Sequence, residues 1–124
     1  MGDLRIKPEF EHLIPPLSAE EFEELRESIN IYGCRDPIVV WNDFIIDGHN
    51  RMKICQEFGL PFNTFDMSFD LDTEDEVKEW IIRNQFGRRN ITAYQRSKLA
   101  LQLKDIIAER AKENQLSGLK QYAD

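Results

Sequence analysis

The sequence predicts an α/β (α+β) domain: a small mixed sheet of about three to five strands with flanking helices, followed by C-terminal helices. Three observations carry this. Helical and strand-like patterns interleave along the chain. Three hydroxyl residues stand at capping-box spacing ahead of amphipathic runs. A short β-branched run is followed, after an Asn-Asp turn, by a second apolar run. The chain has 124 residues, 41% hydrophobic and 31% charged. That is long enough for one compact domain and too apolar for a disordered tail.

The helix starts are Ser18-Ala-Glu-Glu21, Thr73-Glu-Asp-Glu76 and Thr92-Ala-Tyr-Gln95, each a hydroxyl N-cap answered by Glu or Gln three residues on. After Ser18, Phe22, Leu25, Ile29 and Tyr32 recur at helical spacing, and Gly33 supplies the stop. After Thr73, Val77, Trp80, Ile81 and Asn84 share a face until Gly87 interrupts. After Thr92, Leu99, Leu103, Ile106 and Ile107 form a stripe running to about Asn114. Between the first two helices, Pro37–Trp41 and Phe44–Ile46 read as a hairpin turning at Asn42-Asp43. Asp47-Gly48 then leads into a short helix, His49 to Phe58, with Met52, Cys55 and Phe58 inward and Gly59 ending it. Phe62–Phe69 alternates apolar and polar residues, the pattern of a half-buried strand. Trp41 and Trp80, with Phe22, Phe44, Phe58, Phe62, Phe65, Phe69 and Phe86, are expected to make up the core.

Several classes are excluded at this level. No apolar run approaches the roughly 18–20 residues of a membrane span. The start Met1-Gly-Asp-Leu-Arg-Ile-Lys7 lacks the apolar segment of a signal peptide, and Ile6 stands where myristoylation needs Ser or Thr. Cys34 and Cys55 make neither a disulfide framework nor, with His12 and His49, a zinc pattern. A cytoplasmic protein with no membrane partner is expected.

The net charge of −7 hides an asymmetry. Residues 1–82 carry 19 acids and 7 bases, whereas residues 83–124 carry 9 bases and 4 acids. Such a split points to an anion site or an adjoining nucleic-acid-binding part, with a solvated helix face as the plainer alternative.

The sharpest local feature is Phe44-Ile-Ile-Asp-Gly-His-Asn-Arg51, where a strand ends, a glycine permits a tight turn and a helix begins at once. The free N–H groups and the positive dipole end of such a helix favour an anion, and Arg51, one turn in, can present a fork of donors to phosphate. Asp47 is a candidate Mg²⁺ ligand or proton acceptor. The alternative is an ordinary strand–turn–helix with Asp47 as its cap. The second feature is Arg83-Asn-Gln-Phe-Gly-Arg-Arg-Asn90, where like charges crowd around Gly87. They call either for an anion or for pairing with the acidic stretch of Asp72, Glu74, Asp75, Glu76 and Glu79.

The ordered strings Leu13–Ile29, Gly33-Cys-Arg-Asp-Pro-Ile-Val-Val40 and Ile46-Asp-Gly-His-Asn-Arg51 resemble the ParB/sulfiredoxin-like superfamily over about residues 6–92. In ParB partition proteins a glycine–arginine motif and a later Asn-x-x-Arg motif bind the triphosphate of CTP with Mg²⁺. The resemblance carries the first motif onto Gly48, His49, Asn50 and Arg51. It carries the second onto Asn84 and Arg88, with Arg89 beside them. Asn84 to Arg88 is one residue longer than that pattern, and Arg83 stands where an acidic residue usually precedes the asparagine, which opens the choice of anion. Sulfiredoxins place a cysteine in the turn where this chain has His49. A serine-kinase branch carries a string similar to Asp47-Gly-His-Asn-Arg51, which makes ATP an alternative nucleotide and Asp47, Glu9 and Glu11 candidate bases. The label "ParB-like nuclease" finds no carboxylate or histidine cluster suited to two-metal hydrolysis.

The resemblance therefore implies a ParB-like domain over 1–91, then a C-terminal helix over 92–124 leading towards a helix-turn-helix. The expected function is that of a DNA-binding regulator or partition-type protein, of the kind carried by mobile elements, with nucleotide phosphates held in the Gly-x-x-Arg pocket. The alternative is a nucleotide-dependent enzyme, a phosphotransferase or hydrolase. DNA is expected as a partner mainly through the part beyond residue 124, with Arg88, Arg89, Arg96 and Lys98 as candidate contacts within this chain. Homodimerisation is a further expectation.

Overall fold

The computed structural model describes residues 3–88 and 91–122. The chain forms two compact units, Met1–Asp72 and Thr73–Asp124. The expected junction at 91/92 falls inside the second.

The first unit begins with α1 (Pro8–Glu11), a single turn with Pro8 at its start, which the hydrophobic periodicity did not reveal. Ser18 opens α2 (Ala19–Tyr32): its side chain accepts from the Glu21 N–H at 3.1 Å while Glu21 accepts from the Ser18 N–H at 3.0 Å. Gly33, at φ +80°, ends it.

Next come β1 (Ile38–Trp41) and β2 (Phe44–Asp47), an antiparallel hairpin. Asn42 and Asp43, at φ +47° and +68°, supply the two left-handed positions that a tight hairpin turn requires. Then α3 (His49–Phe58) crosses to β3 (Thr64–Asp66), which pairs parallel with β1, giving the order β2-β1-β3. Arg5 joins outside β2: its N–H donates to the Asp43 carbonyl and its carbonyl accepts from the Ile45 N–H.

The strand predicted over residues 62–69 is therefore only three residues long, and all three are exposed. Phe65 is 54% exposed and Phe69 is 96% exposed, so neither belongs to the core. Alternation alone misreads Phe65 because an edge strand with an uncovered face satisfies the same period, and Phe69 because the strand stops at Asp66 and residues 68–70 form a turn. Tyr32, at 65% exposed, also lies off the buried stripe of α2.

Among the described residues, two apolar clusters hold this unit. Ile29, Ile54 and Cys55 pack with Phe22, Leu25, Cys34, Phe58, Leu60 and Phe62 between α2 and α3. Ile38, Val40 and Ile45 of the hairpin pack with Leu4, Met52 and Phe62. Phe10 of α1 is fully buried and meets Trp41 and Phe44 edge-on, each ring centroid 6.2 Å away. The Trp41 indole N–H donates to the Leu71 carbonyl at 2.7 Å.

The second unit is a helix pair, α4 (Glu74–Phe86) and α5 (Ala93–Tyr122). Both predicted caps form: Thr73 Oγ1 accepts from the Glu76 N–H, and Thr92 Oγ1 from the Gln95 N–H. Val77, Ile81, Ile82 and Gln85 of α4 and Leu99 and Leu103 of α5 are buried. Trp80, expected inward, is only half-buried, because Ile82 and Gln85 set the buried face instead. No helix among the described residues is long and apolar enough to cross a membrane.

Candidate functional site

The predicted strand–turn–helix forms in the first unit. Beyond a register shift between Val39 and Val40, Asp47 rather than Ile46 stands opposite Val39, so β2 carries an extra residue just before the turn. Gly48 is left-handed, at φ +98° and ψ 23°, and is itself the N-cap of α3. As a glycine, the N-cap supplies no side chain of its own.

Asp47 Oδ2 lies 3.5 Å from Arg51 Nη2, across one helical turn. The same Arg51 Nη2 donates to the Pro37 carbonyl at 2.8 Å, tying α3 to the entry of β1. Both side chains are largely buried, Arg51 at 17% and Asp47 at 13% exposure. Arg51 Nε is buried without a hydrogen-bond partner. Arg51 thus sits behind the turn as much as it faces outward, a double role its position in the motif did not disclose.

His49 occupies the first helical position with both ring nitrogens buried and unpartnered. Burial pushes its pKa below the ordinary histidine value; the carboxylates of Glu11 and Asp47 oppose the shift, and Lys53 adds to it. Of the three candidate bases, Glu11 and Asp47 therefore act on one imidazole, and α1 is what brings Glu11 there. Its signal was present in the sequence as Pro8 followed by two acids, the pattern of a helix first turn. Glu9 lies on the same turn and is exposed.

Beside the turn, Ser28, Tyr32, Cys34, Arg35, Asp36 and Arg51 line an open pocket of about 140 Å³ at the end of α2. The Arg35 guanidinium stacks 5.3 Å over the Tyr32 ring. None of these residues except Arg51 was a sequence candidate. The marker available was Gly33, which ends α2 and turns the chain back towards β1.

The other candidates belong to the second unit. Asn84 is in the last turn of α4, its carbonyl accepting from the Gly87 N–H at 3.3 Å, and the Arg88 N–H donates to the Gln85 carbonyl at 3.0 Å. Arg89 lies outside the described residues. Gly87 has φ −79°, an ordinary helical value, so the break does not depend on glycine's left-handed freedom.

Arg83 meets Glu79 at 3.0 Å, and Arg110 pairs with Glu79 and, at 3.9 Å, with Glu76. That part of the arginine cluster pairs with the acidic face. Arg96 Nη2 donates to the Phe86 carbonyl at 3.1 Å and its guanidinium stacks on the Phe86 ring. Lys98 is exposed.

Among the described residues, no three His, Cys, Asp or Glu side chains converge as a metal site. Cys34 is half-buried and Cys55 buried, both free thiols outside the turn.

No protein-family model matches the chain. A protein of Acidianus two-tailed virus, "Uncharacterized protein ORF326b", is 28% identical over 93 residues, which is 74% of this chain and 28% of the viral protein. Two solved structures are similar over 95% of the chain. The C2221 form of a Pnob8-like ParB-N domain matches with a TM-score of 0.73 at 22% identity. A pNOB8-like ParB N-domain matches with a TM-score of 0.71 at 24% identity. The chain spans 48% and 44% of those two chains. Its three-stranded mixed sheet, its flanking helices and its C-terminal helix pair are those of a ParB-like N-terminal domain, and that is the fold of this chain.

Proposed function

We propose that this domain binds the phosphates of a nucleotide at the Gly48–Arg51 turn and serves a DNA-binding, partition-type or regulatory protein as its nucleotide-responsive part. The observation that carries this is the start of α3. Helices α2, α4 and α5 each begin on a hydroxyl residue in a reciprocal side-chain cap, whereas the N-cap of α3 is a left-handed glycine that brings no side chain. Helix-start N–H groups at a glycine turn, with the helix dipole behind them and an arginine alongside, suit an anion. The resemblance to ParB proteins makes CTP the first candidate and ATP the second.

The donor set supports a nucleotide-borne metal rather than a resident one. Asp47 is drawn to Arg51, so a Mg²⁺ ion would arrive already held by phosphate oxygens, with Asp47 at most adding one oxygen. Homodimerisation on nucleotide binding belongs to the same reading, as does DNA contact through a following segment. The acidic excess of residues 1–82 repels a phosphate backbone and leaves DNA contact to the basic C-terminal portion.

The test is calorimetric titration of the chain with CTP and Mg²⁺, and identically with ATP. Saturable binding that weakens at least tenfold in Arg51→Lys supports the turn as the site. Lysine keeps the charge but loses the planar fork, and a matched melting curve shows that the fold is retained. Binding unchanged in this variant removes the assignment. Asn84→Ala and Arg88→Ala, titrated in parallel, test the second motif.

A second reading, a nucleotide-dependent phosphotransferase or hydrolase, draws support from the common action of Glu11 and Asp47 on His49. Continuous release of ADP or inorganic phosphate, lost in Glu11→Gln, would favour it. Binding without turnover favours the switch.

A further inference from the structure

The chain has two cysteines, 21 positions apart in sequence, and the fold brings them together. Cys34 lies in the connection between Gly33, where α2 stops, and β1. Cys55 lies in the second turn of α3. Cys34 packs against the buried cluster that contains Cys55. Burial, and after it the neighbouring Cys34 thiol, push the Cys55 thiol up to about 11. Cys34 Sγ in turn donates to the Asp36 carbonyl at 3.4 Å.

The pair is also asymmetric. Cys55 is sealed in the core, whereas Cys34 is half-buried and lines the open pocket beside Arg51. A small reagent in that pocket meets Cys34 first, with Cys55 in the buried cluster against which Cys34 packs.

We propose that Cys34 and Cys55 form a thiol–disulfide site in which Cys34 is attacked from the pocket and Cys55 resolves the product to an intramolecular disulfide. The oxidant is a low-molecular-weight disulfide. Cys34 loses its proton to solvent, and its thiolate attacks one sulfur of the oxidant. The oxidant's S–S bond breaks, and one half leaves as a thiolate that takes up a proton. Cys55 then loses its proton and attacks Cys34 Sγ, which breaks the mixed disulfide and expels the second half, again protonated on release. Two protein thiols are oxidised and one disulfide is reduced to two thiols.

The consequence is a covalent tie between the α2–β1 connection and α3, one helical turn beyond Arg51. It fixes one wall of the pocket that Arg51 shares. The inference rests on the thiol geometry and stands apart from the nucleotide reading.

The test uses the full 124-residue chain, incubated with oxidised glutathione at mildly alkaline pH, alkylated without denaturation and then under denaturation, and weighed intact. The expected product is a monomer lighter by two hydrogens, resistant to alkylation in both steps, with the helical circular dichroism of the reduced form. Cys55→Ala should instead stop at a stable glutathione adduct on Cys34. Cys34→Ser should leave Cys55 unmodified until the chain is denatured. Three results would overturn the proposal: a glutathione adduct that persists in the wild-type chain, a disulfide-linked dimer, or oxidation that proceeds only with loss of helical signal.

Discussion

The Arg51 guanidinium occupies the space that a side chain on Gly48 would need. A Cβ built on Gly48 would stand 2.9 Å from Arg51 Nη2 and 3.0 Å from Ile38 Cδ1. The same Nη2 is held by the Pro37 carbonyl, so the arginine cannot swing aside without giving up a hydrogen bond. Glycine at this position therefore answers two demands: a left-handed backbone and a close approach by the arginine that follows it.

Gly48→Ala should accordingly destabilise the first unit by about 1–3 kcal/mol, combining backbone strain at φ +98° with displacement of Arg51. Chemical denaturation reads this as a lowered midpoint at unchanged slope. An unchanged midpoint would mean that the turn relaxes freely and that the Arg51–Gly48 contact constrains nothing.

Gly87→Ala should behave differently. Its φ of −79° suits any residue, and the added Cβ would meet only the Asn84 carbonyl oxygen at 3.6 Å, an ordinary contact. The substitution should be neutral or stabilising by about 0.4–1 kcal/mol through the unfolded chain. A loss of stability would show that the end of α4 needs a conformation other than the one seen.

These two glycines show what the sequence disclosed. Reading both as turn makers was a sound inference from residue type, yet only Gly48 has the positive φ that makes glycine necessary. The same holds for the elements. Three capping boxes were legible because each is a local exchange of hydrogen bonds among four residues. The hairpin was legible because Asn42-Asp43 can adopt consecutive positive φ values.

What escaped was non-local. Nothing in the spacing of Phe10 says that it packs against Trp41 and Phe44, nor that Phe65 is exposed on an edge strand and Phe69 in the turn beyond it. At the candidate site, the motif Gly48–Arg51 was visible. The Pro37 carbonyl, the approach of Glu11 to His49 and the contact between Cys34 and Cys55 depend on how distant segments fold back, and no periodicity encodes that.

His49 gives the domain a signed pH dependence. Its folded pKa lies below the ordinary value of 6.5, chiefly because burial disfavours the imidazolium. Between that lowered value and 6.5 the unfolded chain binds more protons than the folded one, so stability rises with pH across this window and falls on acidification. Denaturation midpoints measured on either side of 6.5 should show the trend, and His49→Gln should flatten it. A slope that survives the substitution would assign the effect to other groups.

Arg96 and Lys98 were both candidate DNA contacts, and the structure separates them. Arg96 donates to the Phe86 carbonyl at the end of α4 and stacks on the Phe86 ring, whereas Lys98 is exposed on α5. A guanidinium on a terminal helix carbonyl satisfies an acceptor left without an intrahelical partner and complements the dipole. Arg96→Ala should therefore lower stability by about 0.5–1.5 kcal/mol, the range of a single such hydrogen bond. Lys98→Ala should leave it within about 0.5 kcal/mol, as expected for a surface residue outside a network. Measured side by side by urea denaturation, a cost confined to Arg96 would identify that residue as a brace of the helix pair. Any loss of DNA affinity in the Lys98 variant would then report contact with phosphate rather than a damaged fold. Equal stability in the two variants would instead return Arg96 to the set of free cations available to a nucleic-acid backbone.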